Sequence, residues 1–444
     1  MPRNPNVDMS IDQSYKNLAG EQMISLMKRL WPLCRSITGN GVRSTLNIIK
    51  ENVPSLDIHE VPSGTQCFDW VIPKEWNIRE AYVLNDKNEK VIDFADHNLH
   101  IVSYSIPVDA EMELEELEHH LYSIPEHPDV IPYVTSYYKE NWGFCIQHSK
   151  REKLTKGRYK VYIDSSLKTG SLTYAELLIP GKVKEEIFFS TYICHPSMAN
   201  NELSGPCLAA QLAQHLSGLD TYYSYRFIFI PETIGAICYL SRNLEELQRK
   251  VKAGFVLTCV GDEKAWSYMP SISGNTYSDV ISKHVLNALK IEFDEYSFLQ
   301  RGSDERQYCS PGIDLPVCSI MRSKYMTYPE YHTSHDDFKL VTAKGLSDSF
   351  ELYCKIIEAI EADCVPCYVV KGEPKMSDRG LRPTTGIKGS ALSTMDMMNL
   401  LIYSNGKRTL FEIAEILNKP IWELKNTADI LTEAGLLKIS ILKK

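Results

Sequence analysis

The fold of this chain is decided by IFFSTYICHP, residues 187–196. The apolar run from Ile187 to Ile193 predicts a buried strand, and it ends directly on His195. Two further apolar runs have the same form: residues 227–230 end at Glu232, and residues 315–321 precede YHTSHDD, residues 331–337. Carboxyl ends of parallel strands open into one crevice, where imidazoles and a carboxylate can hold a metal and activate water. The pattern therefore predicts a metal-dependent hydrolase, with peptidases as the leading class.

The composition is typical of a globular protein that stays in the cytoplasm. The chain has 444 residues, 43% of them hydrophobic, and a formal net charge of -9. No apolar run approaches the roughly 20 residues that span a bilayer, and the polar N-terminus lacks the apolar core of a secretory signal. We expect the twelve cysteines to be reduced, and the lone CxxC pair at Cys364 and Cys367 to be buried thiols rather than a zinc site. The acidic balance argues against general affinity for nucleic acid or anionic membranes.

The hydrophobic periodicity divides the chain into three regions. Strand and helix patterns alternate after residue 170, which is typical of a doubly wound α/β sheet. Residues 10 to about 55 carry apolar side chains at helical spacing. Short alternating segments predict a mainly β module from there to residue 170. Three short amphipathic helices and a strand predict a winged helix over residues 385–444.

The predicted winged helix has the wrong charge for DNA. Seven basic and six acidic side chains lie between Ala391 and Lys444, and the candidate recognition helix, residues 421–434, carries one basic and three acidic side chains. Contacts with phosphates need a positive surface. We therefore expect packing within the chain or a homo-oligomer contact, and no nucleic-acid partner.

Six long phrases are spread over nearly the whole length of the chain: WPLCRSITGNGVR (31–43), FDWVIPKEW (68–76), YICHPSMANNELSGP (192–206), FIPETIG (229–235), SDERQYCSPGIDLPV (303–317) and PEYHTSHDD (329–337). They resemble the zinc aminopeptidase clan that includes bacterial leucyl aminopeptidases, glutaminyl cyclases and the transferrin-receptor ectodomain. The chain is more closely similar to a bacterial family with an inserted domain in such a fold and a C-terminal winged helix. The resemblance implies an α/β catalytic domain of zinc-exopeptidase type, with a doubly wound mixed sheet, over residues 10–60 and 171–370, and an inserted β-rich domain over residues 61–170.

The resemblance assigns site residues but departs from the two-metal pattern. It places His195 and His332 at the two histidine positions and Glu232 at the general-base position. Three carboxylate ligands of the two-metal enzymes are replaced: Asn201, Thr233 and Thr258 stand at their positions. Two close cations need those negative charges, so the resemblance implies a single metal ion.

We therefore predict one zinc ion held by His195, Glu202 and His332, with Glu232 as general base. Glu202 could instead be a helix N-terminal acid, and Glu232 a structural acid at a strand end. Four other residues are candidates for orienting a ligand or contacting substrate: Asp304, Arg322, His335 and Asp336. A substrate carboxylate would need Arg301, Arg306 or Arg322, whereas a free amino group would suit Asp304.

The predicted function is that of an exopeptidase, aminopeptidase-like, acting on a small peptide or amide substrate. Because three ligands are missing, a non-catalytic regulator or binding protein on a degenerate peptidase fold is an alternative. A metal-dependent deacylase that acts on an amide of a sugar or another metabolite is a second alternative.

Overall fold

The computed structural model describes residues 11–381 and 390–440, and these form a mixed α/β fold. The chain alternates between short strands and amphipathic helices, as its periodicity predicts. Its strands are β1 Asp57–Pro62, β2 Gln66–Cys67, β3 Trp70–Val71, β4 Glu75–Leu84, β5 Lys90–Asp93, β6 Val108–Glu113, β7 Leu121–Tyr122, β8 Phe144–Cys145, β9 Arg158–Lys168, β10 Ser171–Ile179, β11 Glu186–Tyr192, β12 Ser224–Ile230, β13 Val251–Val256, β14 Ser267–Met269, β15 Asp294–Glu295, β16 Val317–Met321, β17 Val365–Tyr368 and β18 Leu437–Ser440.

The helices surround the large sheet or belong to the C-terminal region. The α-helices are α1 Gln13–Leu30, α2 Asn40–Asn52, α3 Leu114–Leu117, α4 His148–Arg151, α5 Ser204–Ser217, α6 Ile234–Lys250, α7 Tyr277–Ala288, α8 Glu305–Tyr308, α9 Ala343–Ala362, α10 Ser390–Tyr403, α11 Leu410–Leu417 and α12 Ile421–Glu433. Short 3-10 turns and one π-helical turn, Ala199–Leu203, complete the set. Among the helices of the described ranges, none is long and apolar enough to cross a bilayer.

Eight strands form one mixed sheet in the order β1-β10-β12-β11-β13-β16-β14-β15. The four central strands, β12, β11, β13 and β16, run parallel. At the two ends of this group, β10 is antiparallel to β12, and β14 is antiparallel to β16. The chain leaves β11 for β12 on one side and then crosses to β13 on the other. This reversal makes a topological switch point at the carboxyl end of β11, where open α/β sheets place their ligand crevices.

Both faces of the sheet are covered, which explains the continuous apolar runs of its strands. Successive side chains of β11 point to opposite faces: Ile187 and Phe189 pack with the helices of one layer, and Phe188 packs with the other layer. Helices α1, α5 and α9 cover the first face, and α6 covers the second. The core therefore fixes the strand ends from which the candidate site residues project.

The predicted β-rich insertion lies between β1 and β10, which are antiparallel partners in the large sheet. It contains a four-stranded sheet in the order β5-β4-β9-β6 and two short strand pairs. Within it, β6 ends at Glu113 and the short helix α3 follows directly. The insertion thus leaves and rejoins the main sheet at neighbouring points.

The C-terminal region has the three helices and the strand expected of a winged helix. Its strand β18 pairs with β17, which precedes the predicted boundary at residue 385. The region packs against the main domain through His284 of α7: Nδ1 lies 2.5 Å from Glu415 Oε1, and Nε2 accepts a hydrogen bond from Ile421 N at 3.1 Å. On α12, Lys425 is paired with Asp429, and Glu423 and Glu433 are exposed. The helix therefore presents an acidic surface, as the sequence predicts.

An ion pair joins the insertion to the main domain and generates a stability prediction. The Arg43 guanidinium of α2 donates to both Glu75 carboxylate oxygens, at 2.8 and 2.6 Å, and Ser171 N donates to Oε2 at 3.0 Å. These contacts, with Arg43 contributing most, lower the pKa of Glu75 to about 2. A depressed carboxyl pKa adds stability above its unfolded value of about 4.3, and that stability is lost as the pH falls towards 2.

We predict that Glu75→Gln lowers stability by about 1–3 kcal/mol at pH 7, since charge-assisted bonds are lost from a half-buried site. The difference in the free energy of unfolding between the variant and the native protein should stay constant down to about pH 5 and shrink as the pH falls further. Urea denaturation followed by tryptophan fluorescence between pH 7 and 3 measures this. Glu80→Gln, whose carboxylate is exposed and 3.9 Å from Lys90, is the control. A pH-independent difference would contradict the prediction.

Candidate active site

The candidate site lies at the carboxyl edge of the parallel strands, as the sequence predicts. His195 is the third residue after β11, Glu232 the second after β12, and Thr258 the second after β13. His332 comes from the long loop between β16 and α9. Gly205 at the start of α5 allows close packing here, because a Cβ atom would lie 2.2 Å from Leu257 O. The main-chain fold thus gathers residues from four loops.

His195 is held between two carboxylates. Its Nδ1 lies 2.6 Å from Oε2 of Glu202, and its Nε2 lies 3.6 Å from Oε2 of Glu232. Glu202, in the π-helical turn, is buried, whereas the Glu232 side chain is about one-fifth exposed. One imidazole nitrogen therefore faces the protein interior, and the other faces the carboxylate that has access to solvent.

His332 lies beside His195, with ring centroids 5.3 Å apart. Its ring stacks on Tyr331 at 3.9 Å, and its backbone has a φ of 55°, which is unusual for a residue with a side chain. Its Nε2 atom is buried and has no hydrogen-bond partner among the described residues. The loop therefore holds the second imidazole in a specific position with one nitrogen unsatisfied.

Burial controls the protonation of this cluster. It lowers the pKa of His195 to about 3, helped by the charge of Arg35, and that of His332 to about 2, helped by His195. Burial raises the pKa of Glu202 and of Glu232, and the charge of Asp304 raises that of Glu232 further. Both imidazoles are thus neutral at physiological pH, the form that binds metals.

Arg35 is a buried cation beneath the site, and no local pattern in the sequence marks it as a site residue. Its Nε donates to His195 O at 3.0 Å, and its Nη1 donates to Leu30 O at 2.6 Å. It is fully buried, and its charge opposes that of Glu202 by lowering the carboxyl pKa. Arg35 therefore ties the strand-end loop to α1 and offsets part of the buried negative charge.

The donor set fits one cation. The buried acceptor atoms that have no partner in the described part of the chain include His332 Nε2, Asn201 Oδ1 and Glu202 Oε1. Ligand atoms of Cys194, His195 and Glu202 also lie within 4.8 Å of one another, a grouping that could hold a metal ion. His332, the third predicted ligand, is not part of this group in the described structure. A cation would satisfy acceptors that the protein itself leaves open.

Two of the residues at the missing carboxylate positions are engaged within the protein. Thr258 Oγ1 donates to Asn201 O at 3.2 Å, and Thr233 N donates to Asp304 Oδ1 at 2.8 Å. Asn201 Nδ2 donates to Tyr192 Oη at 2.8 Å, which leaves only its Oδ1 open. These neutral side chains provide little charge to offset a second cation.

The position of the Glu202 carboxylate beside His195 Nδ1 affects its predicted role as a metal ligand. The two nitrogens of an imidazole point in different directions, so a carboxylate bonded to Nδ1 does not reach a cation on Nε2 with the same oxygen. In the structure Glu202 occupies the Nδ1 side of His195, and Glu232 lies on the Nε2 side. A ligand role for Glu202 stays a prediction; its contact in the structure is the one that orients the first histidine.

Asp304 and Asp336 both hold backbone near the site. Besides its bond to Thr233 N, Asp304 has a buried Oδ2 without a partner in the described chain, and burial raises its pKa to about 7. Asp336 accepts from Asn200 N at 2.5 Å and from Asn201 N at 2.9 Å. Asp336 therefore fixes the turn that carries Glu202, rather than contacting an imidazole.

Arg322 and His335 have other surroundings. The Arg322 guanidinium lies 4.1 Å from the centre of the Trp266 ring and is buried. His335 is exposed, and its backbone N donates to Thr333 Oγ1 at 3.2 Å. The described contacts give neither side chain a bond to His195, Glu202 or Glu232.

The insertion contributes an aromatic residue that the sequence did not reveal. Tyr133 N donates to His332 O at 2.9 Å, and Ser334 N donates to Ile131 O at 2.9 Å. The Tyr133 ring lies 5.1 Å from the His195 ring and 5.2 Å from the His332 ring, and its hydroxyl is bonded to that of Tyr137. The insertion thus covers both imidazoles and fixes the His332 loop.

Comparison with known proteins agrees with this architecture. The chain is 47% identical over 422 residues to a Clostridium acetobutylicum protein provisionally named a polysaccharide biosynthesis protein with aminopeptidase-like domain, covering 95% of this chain and 96% of that one. A crystal structure of a protein from the same species, provisionally named a peptidase, superimposes with a TM-score of 0.91 and 46% identity over 96% of this chain and 98% of that one.

The zinc aminopeptidase of Bacillus subtilis shares the fold, with a TM-score of 0.57 and 13% identity over 82% of this chain and 97% of that one. The predicted aminopeptidase-type fold is therefore confirmed. Residues 364–439 match a winged helix-turn-helix family, which confirms the predicted winged helix and places its start at β17. Residues 24–363 match the family described as "Domain of unknown function (DUF4910)", and the chain belongs to that family.

Proposed function

We propose that this protein is a mononuclear zinc-dependent amide hydrolase that acts as an exopeptidase on small peptide-like substrates. The observation that carries the proposal is the buried cluster of two neutral imidazoles with Glu232 3.6 Å from His195 Nε2. The peptidase-type fold, shared with a zinc aminopeptidase, supports the same class. His195 and His332 would hold the ion, and Glu202 would support them, either from the Nδ1 side of His195 or as the direct ligand that the sequence predicts.

Each side chain has a chemical task in this proposal. When bound, zinc supplies the Lewis acidity that makes water reactive near neutral pH. Glu232 would accept a proton from the attacking water and deliver it to the nitrogen of the leaving amine. Its partial exposure allows contact with substrate, whereas Glu202 is closed off. The Tyr133 ring would limit the access of bulk water to the imidazoles.

A deacylase that removes an acyl group from an amino sugar is the second candidate. The name of the Clostridium acetobutylicum relative, which refers to polysaccharide biosynthesis, favours it. The same residues would perform this reaction, because both reactions cleave an amide bond with water. A screen of aminoacyl amides, acyl-amino acids and N-acyl sugars against the zinc-loaded protein separates the two candidates.

We expect Glu232→Gln to lower kcat by about 100- to 10,000-fold on whichever amide the native protein cleaves, because general-base catalysis is lost. Zinc content, measured by elemental analysis, should stay the same. Glu245→Gln, at an exposed position on the helix that follows Glu232, is the matched control and should keep full activity. A fully active Glu232→Gln variant would overturn the assignment of the base.

The variant Glu202→Gln tests whether the Glu202 carboxylate strengthens zinc binding through its contact with His195 Nδ1. If the carboxylate acts through Nδ1, the variant should bind zinc about 10- to 100-fold more weakly, since the imidazole becomes less basic. Competition with a chelating indicator at pH 7 measures the affinity, again with Glu245→Gln as control. Complete loss of zinc would show that Glu202 is a direct ligand. Unchanged zinc affinity would show that Glu202 neither binds the ion directly nor supports His195.

A further inference from the structure

A cavity of about 740 Å³ is lined in part by Arg306, a side chain that also bonds to Thr233 beside Glu232. Its volume falls within the range typical of small-molecule sites, roughly 300–1,000 Å³. Three segments form its walls: residues 270–274, residues 295–299 with Arg301, and Arg306 with residues 309–311. The surface combines exposed apolar groups, with Ile272 52% and Leu299 85% exposed, and two arginines.

Arg306 connects this cavity to Glu232. Its Nη2 donates to Thr233 Oγ1 at 2.5 Å, and Thr233 directly follows Glu232. Within residues 11–381 and 390–440, the Nε atom of Arg306 has no hydrogen-bond partner. Its Nη1 atom also donates no hydrogen bond to these residues, so the bond from Nη2 is the one that holds the guanidinium. The guanidinium is therefore anchored through one nitrogen beside the proposed base, with its remaining donors unused.

The neighbouring acids do not neutralise Arg306 by direct contact. In the described chain no carboxylate oxygen lies within 4.0 Å of its guanidinium. Glu305 instead accepts from Gly302 N and from the Tyr325 hydroxyl, and Asp304 accepts from Thr233 N. A guanidinium that is close to, but not paired with, acidic groups can still bind an external anion.

The cavity lining is positive overall. Its charged residues are Glu295, Arg301 and Arg306, and Glu295 is paired with Lys283 at 2.5 Å. Arg301 is exposed, and its guanidinium lies 5.2 Å from the centre of the Phe298 ring. Two cationic side chains thus border an apolar wall without an unpaired acid in the lining.

We propose that Arg306, assisted by Arg301, binds an anionic group of the substrate, so that the amide cleaved beside Glu232 belongs to a molecule with a carboxylate or phosphate near the scissile bond. This inference rests on the proposed amide hydrolase function. A guanidinium binds either anion through two parallel hydrogen bonds, and the apolar wall would contact the adjoining part of the substrate. Arg306 would be a specificity residue that takes no part in proton transfer.

The test compares alanyl substrates that carry different charged groups on the second residue, using the full-length, zinc-loaded protein. Dialanine, alanyl-alaninamide and alanyl-phosphoserine amide provide a carboxylate, a neutral group and a phosphate. Arg306→Gln should raise KM roughly 10- to 100-fold for the preferred anionic substrate, with kcat nearly unchanged and the neutral substrate unaffected. Arg306→Lys should recover part of the loss, and Arg158→Gln in the inserted sheet is the control. Equal KM values for the three substrates with the native protein would overturn the proposal.

A binding measurement keeps this proposal separate from the proposed hydrolysis. Calorimetric titration of the zinc-loaded Glu232→Gln protein with N-acetylalanine, N-acetylalaninamide and inorganic phosphate needs no turnover. Binding of an anion that Arg306→Gln abolishes would support the anion subsite even if the native protein cleaves no amide. Binding that Arg306→Gln leaves unchanged would exclude the subsite, even if amide hydrolysis is demonstrated.

Discussion

The bond between His195 and Glu202 is the constraint on which the candidate site depends. It is formed in a fully buried position, at 2.6 Å, by a residue at a strand end and a residue in the π-helical turn that follows. By engaging Nδ1, it fixes the ring and directs Nε2 towards Glu232. Such a carboxylate is costly to bury alone, and the guanidinium of Arg35 offsets part of that cost. The same guanidinium holds the backbone of His195, so charge and geometry are controlled together.

The second half of the site is fixed from outside the main sheet. His332 lies on a long loop, and it is the insertion that hydrogen-bonds this loop and covers both imidazoles with Tyr133. Asp336, from the same loop, holds the turn that carries Glu202. The insertion, the His332 loop and the Glu202 turn therefore form one connected structure. This gives a physical reason for placing a β-rich module between two strands of a peptidase-type fold.

Strand ends could be predicted from the sequence because they depend on local patterns. Apolar runs of seven residues or fewer, each followed by a polar side chain, located His195 and Glu232 correctly at the sheet edge. The contacts of Arg35 and Tyr133 could not be predicted in this way, since their partners lie far away in the sequence and nothing local marks them. The early start of the winged helix was missed for the same reason: β17 finds its partner, β18, about 70 residues later. Periodicity also could not show which nitrogen of His195 meets Glu202.

Zinc-edge anomalous scattering from crystals of the zinc-loaded protein would show whether one ion lies between the two imidazoles, because it counts the ions and locates each one. We expect a single peak between His195 Nε2 and His332, with Glu232 facing it and Glu202 still bonded to Nδ1. A peak on the Nδ1 side, among Cys194, His195 and Glu202, would contradict this arrangement. Two peaks, or none in a correctly folded protein, would contradict the single-ion site itself.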